Sequence, residues 1–193
     1  MSITKLTTNG VNGNKYDTVS ADNYYMEPIA TNLLGSSAAS VTFSNIPQNY
    51  THLQIRGIMR SDQASTGQSA LWVQFNGDTG SNYSWHRVYG NGATTTAGAG
   101  TSTTWMLAGI GAYASNPANE FGASVVDILD YKNTYKYKTV RGLTGEDENG
   151  AGYVGLHSGL WMNTAAITSI TIQPGSPYNW VQYSRFSLYG IRG

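Results

Sequence analysis

HLQIRGIMR, residues 52–60, is the stretch from which the fold can be read. Leu53, Ile55, Gly57 and Met59 fall on one side of a two-residue repeat. His52, Gln54, Arg56, Ile58 and Arg60 fall on the other. Side chains of a strand alternate between its faces, so this pattern describes a half-buried strand with a largely polar outer face. Outward from it the same character recurs. Ser40–Ile46 places Val41 and Phe43 together and stops at Pro47. Ala70–Phe75 sets Leu71, Val73 and Phe75 against Trp72 and Gln74, and Asn76-Gly77 then supplies a tight hairpin-type turn.

Further runs of strand type are Tyr24–Leu34, Ser84–Tyr89, Trp105–Ile110, Phe121–Tyr131, Tyr137–Leu143, Tyr153–Met162, Ile167–Gln173 and Val181–Ile191. Residues 90–104, GNGATTTAGAGTSTT, read as a flexible Gly/Ala/Thr loop. About ten or eleven short strands between turn signals point to an all-β, two-sheet antiparallel β-sandwich, with a jelly roll as the expected topology. Helical periodicity is absent, apart from room for one short turn at Ala165-Ala166-Ile167. Residues 1–23 are polar and without period, and read as an extended N-terminal arm ahead of a sandwich domain over residues 24–193.

Composition narrows the function classes. Lys+Arg and Asp+Glu each number 11 in 193 residues, so the formal net charge is zero. Such a chain lacks the basic footprint of a nucleic-acid or anionic-membrane binder. Zero net charge also brings little self-repulsion and favours close packing of copies. With no cysteine, disulfides and thiolate metal sites are excluded. The opening MSITKLTTNG has no apolar signal region, and no apolar stretch is long enough to span a bilayer. The expectation is a soluble protein made in a cytoplasm.

No catalytic or cofactor motif stands out. His52, His86 and His157 lie far apart and in no zinc spacing. No GxSxG frame singles out a serine. Asp127 and Asp130 differ by an odd number, so a regular strand points them to opposite faces, which is wrong for an acid/base pair. Glu146-Asp147-Glu148 reads as a solvated loop tip, and Asn76, Asp78 and Thr79 as turn residues. Either group has oxygens for calcium, but neither has EF-hand spacing. GAGTSTT, residues 98–104, lacks the lysine end of a phosphate loop. The expectation is a non-enzyme with no catalytic residues, cofactor or metal.

Aromatic residues are the remaining candidates. Tyr83, Trp85, Tyr89, Trp105, Tyr113, Trp161, Tyr178, Trp180 and Tyr183 can stack on sugar rings wherever they reach the surface. In strands such residues mostly pack in cores or at subunit contacts. Tyr178 and Trp180 sit in the turn-rich PGSPYNW, where exposure is expected. With Trp85 they are the candidate glycan or partner contacts.

Three segments carry a resemblance. SVTFSNIPQNYTHLQIRG at 40–57, FNGDTGSNYSWHRVYGNG at 75–92 and QYSRFSLYGIRG at 182–193 resemble, in order and spacing, small virion proteins of tailed bacteriophages. The resemblance covers less than half of the chain and brings no catalytic residues. It implies a β-sandwich on the virion surface. The expected role is a structural protein that decorates or cements the capsid as a homotrimer, with residues 1–23 as tether. The alternative is a tail-fibre or head-fibre module that binds host-surface glycan. A small glycan depolymerase is the third reading, and it lacks a carboxylate pair.

Overall fold

The computed structural model describes residues 25–64 and 68–193. The arm expected over residues 1–23 lies outside them. The elements are β1 (Met26–Leu33), β2 (Val41–Phe43), β3 (His52–Met59), β4 (Ser69–Phe75), β5 (Tyr83–Gly90), β6 (Thr95–Thr103), β7 (Met106–Gly111), β8 (Gly122–Ile128), β9 (Lys138–Asp147), β10 (Gly152–Trp161), β11 (Ile170–Gln173) and β12 (Arg185–Ile191). They form two antiparallel sheets. One has eight strands in the order β1-β12-β3-β8-β9-β10-β5-β6, and the other has four in the order β2-β11-β4-β7. The two-sheet sandwich expected from the sequence is the fold. An eight-against-four division does not by itself make a jelly roll.

Alternation explains the strands. Leu53, Ile55, Gly57 and Met59 of β3 are buried, as the two-residue repeat requires, and β8, β9 and β10 alternate in the same way. β7 is buried at every position because it lies across β8, β9 and β10 of the facing sheet. Between the sheets Trp161 packs on Phe75 at a ring separation of 5.5 Å and stacks on Tyr83.

Two local expectations are corrected. Residues 95–103 are a strand, not a loop, and pair with β5 from Tyr83↔Thr103 to Gly90↔Thr95. The hairpin closes because the Asn91 side-chain oxygen accepts hydrogen bonds from the amides of Ala93 and Thr94. Ala165-Ala166-Ile167 makes no helical turn. The Ala165 amide donates to the Asn163 side chain and the Ile167 amide donates to the Tyr131 carbonyl, which holds the segment as an irregular link.

Candidate functional site

The three aromatic candidates do not form one platform. Trp85 is half-buried on β5 and meets Trp72 edge-on at 6.0 Å. Tyr178 is half-buried in its turn. Trp180, expected at the surface, is fully buried. Its backbone bridges Ala38 and Ser61, and its ring packs 5.2 Å from Phe186 of β12. Distant segments thus close over a residue that follows the turn-rich run Pro174-Gly175-Ser176-Pro177.

The acidic candidates are dispersed. Asp127 accepts from Gln54 and Arg141, while Asp130 pairs with Lys136 and faces His52. Asp78 accepts from the Gly80 amide, the Asn82 amide group and the Trp161 indole, and so pins a turn to the core. The Asn76 side chain is taken by Ala166, Thr168 and Ser169. Glu146, read as part of a solvated tip, is corrected: it is buried on the inner face of β9. Burial raises its carboxyl to about 7, and the charges of Glu148 and Glu120 push in the same direction. His157 is buried on β10, where burial and the Arg87 charge lower it to about 4. Among the described residues no three His, Asp or Glu side chains gather in a way that could hold a metal ion.

What the sheet does assemble is an apolar row on the outer face of its eight-stranded layer. Val125 stands opposite Leu143, Leu143 opposite Leu156, Leu156 opposite Val88, and Val88 opposite Ala97. Leu143 and Leu156 are 53% and 55% exposed. In the next row Ile58 faces Ala123, which faces Gly145, which faces Val154, itself 61% exposed. Between the rows runs a shallow cleft of about 320 Å³ whose walls include Ala123, Val125, Leu143 and Val154. Scattered single apolar residues on a surface are ordinary, whereas a contiguous patch marks an interaction site. The polar Arg56, Asp127 and Arg141 border it. Sequence reading missed this patch. The outward parity of each residue was visible, but which strands are neighbours was not.

A second concavity, of about 470 Å³, lies between Trp72 and Trp105 with Thr103, Thr104, Gln173 and Ser176 around it. Trp105 was among the aromatics noted in the sequence, and Trp72 enters from the polar side of β4. Compared with family models, curated proteins and solved structures, the chain matches none.

Proposed function

We propose that this chain is a non-enzymatic structural protein of a tailed-phage virion that decorates or cements the capsid through subunit contacts. The observation that carries the assembly role is the exposed row Val125–Leu143–Leu156–Val88. A flat apolar sheet face bordered by polar groups has the make-up of a protein interface, with a dry centre and a wet rim. The virion setting rests on the resemblance of residues 40–57, 75–92 and 182–193 to small phage virion proteins, and residues 1–23 serve in this reading as the tether to the shell. A homotrimer is the proposed unit.

The test is sedimentation of the protein together with cryo-electron microscopy of whole particles. Wild-type protein is expected to self-associate and to occupy regular capsid positions. The double variant Leu143→Lys/Leu156→Lys is expected to stay folded and monomeric and to leave the particles bare. A monomeric wild type, or normal decoration by the double variant, removes the assembly reading.

The alternative is a fibre module for host-surface glycan. The cleft between Trp72 and Trp105 supports it, because flat rings beside Thr, Gln and Ser side chains suit a sugar. Density at tail or fibre tips, together with glycan binding lost on Trp105→Ala, would select that role instead.

A further inference from the structure

Two tryptophans are held out of the core. Of the five in the chain, Trp161 and Trp180 belong to the core and Trp85 packs against it, whereas Trp72 and Trp105 do neither. Both are half-buried and wall the cleft of about 470 Å³. Aromatic rings kept beside a concavity and away from the core have the make-up of a binding surface.

The backbone is shaped around them. The pairing of β4 with β7 slips between Leu71 and Trp72. That of β5 with β6 slips where Tyr83 faces Thr103 but Trp85 faces Gly100, so that Thr101 and Ser102 stand against Ser84 alone. Ser102 there takes a left-handed φ of 52°. Such bulges re-aim side chains and recur beside functional sites. On the third wall Gly175 has a φ of 96°, and a Cβ added to it would lie 3.3 Å from Trp72 Nε1. A side chain would crowd that indole N–H, and glycine leaves it room. The segment carrying Trp105 is fixed without its ring. Thr103 Oγ1 donates to the Trp105 carbonyl at 2.8 Å, and Gln74 Nε2 donates to the Thr104 carbonyl at 3.2 Å.

The polar groups around the rings are all neutral. Gln173 lies directly across from Trp72, so its amide shares a face with that indole. Ser102, Thr104 and Ser176 add exposed hydroxyls. An amide offers donors and an acceptor, and a hydroxyl is both at once, which matches the hydroxyls of a sugar. No residue lining the cleft is charged, so an ionic ligand finds no counter-charge in it.

We propose that the Trp72–Trp105 cleft binds a neutral saccharide, a sugar ring stacking on an indole while its hydroxyls meet Gln173, Thr104 and Ser176. The assignment rests on the glycan reading of this cleft and adds the class of sugar.

The experiment titrates the full chain with lactose and cellobiose and, separately, with sodium sialyllactose and sodium glucuronate, at ionic strength matched with sodium chloride. Proton–nitrogen correlation spectra follow the indole signals, and Trp72→Phe and Trp105→Phe assign two of them. The neutral sugars are expected to shift the Trp72 and Trp105 signals saturably and to leave Trp161 and Trp180 in place. The affinity is expected to be unmoved by added salt, because no charge is engaged. Gln173→Ala is expected to weaken binding roughly fivefold, the worth of one neutral hydrogen bond, and Trp105→Ala to abolish it. A stronger response to the two acids overturns the neutral class and leaves the glycan reading standing. If no sugar shifts the two wild-type signals, both fall. The wild-type titration decides this even where a variant fails to fold.

Discussion

Thr144 on β9 hydrogen-bonds both main-chain polar groups of Ile110 on the opposite sheet, accepting from its amide at 3.1 Å and donating to its carbonyl at 2.6 Å. Among the described residues β7 is the last strand of the small sheet, with no strand paired to its outer edge, yet it is buried. The Thr144 hydroxyl, with Ser124 at 2.7 Å, stands where a neighbouring strand would otherwise be. An unsatisfied buried strand edge is costly, and here side chains of the facing layer satisfy it.

Thr144→Val keeps the shape and removes the hydroxyl. It is expected to lower stability by about 2 kcal/mol, because the Ile110 amide loses its partner inside the core. Ser124→Ala is expected to cost less, since the Ile110 carbonyl keeps Thr144 as a donor. Urea unfolding of the two variants checks the order.

At Gly142 the backbone of β9 packs tightly against β7. A Cβ added there would overlap the Ala108 carbonyl oxygen, and backbone cannot swing aside as a flexible side chain can. Gly145, on the same strand, faces outward with its nearest heavy atom 4.0 Å from an added Cβ. Gly142→Ala is expected to cost about 3 kcal/mol or more, and Gly145→Ala less than about 1 kcal/mol. Thermal unfolding of the pair measures this, and equal melting temperatures would contradict it.

Glu146 and His157 titrate in opposite senses. The folded state raises Glu146 to about 7. Its contribution is therefore present below the unfolded value, about 4.3, and is lost as pH rises through the folded one. The folded state lowers His157 to about 4. Its contribution is full above the unfolded value of about 6.5 and is lost as pH falls toward the folded one. Between about pH 4.5 and 6.5 the two slopes oppose, each at most about 1.4 kcal/mol per pH unit, so their sum is nearly flat. Glu146→Gln should leave stability that climbs with pH across this window, and His157→Gln stability that falls. Urea midpoints across the window test both signs, and slopes of one sign in both variants would refute the account.

Asp78 ties the turn after β4 to the Trp161 indole at 2.8 Å. Burial pushes its carboxyl up, but hydrogen bonds from Trp161, Asn82 and Gly80 outweigh this and hold it below the usual range. Asp78→Ala is expected to cost about 2–3 kcal/mol, because the buried indole N–H loses a charged acceptor. Asp78→Asn, which keeps an acceptor oxygen, should recover part of it. Near-UV circular dichroism of the tryptophans, read beside the denaturation curves, follows the loss.

Strand reading succeeded where one face is buried and the other wet, as in His52–Met59, because burial then writes a period of two into the residues. It failed for Thr95–Thr103, whose Gly, Ala and Thr residues are small on both faces and carry no such period. Glu146 was legible in principle. It shares parity with the buried Val140, Gly142 and Thr144, but the neighbouring Asp and Glu made it look like a loop tip. Nothing in its turn-rich segment marks Trp180 as buried, since Ala38 and Ser61 reach it from far along the chain.

Composition and alternation by themselves determined that this is an all-β chain of short antiparallel strands, because side-chain parity is a property of the strand alone. Only the tertiary structure decided which strands are neighbours. That order lines Val125, Leu143, Leu156 and Val88 into one apolar row, and it sets Arg87 opposite His157 on the inner face. Both depend on the order and register of separate strands, which the packing of the two sheets sets and no single strand's pattern encodes.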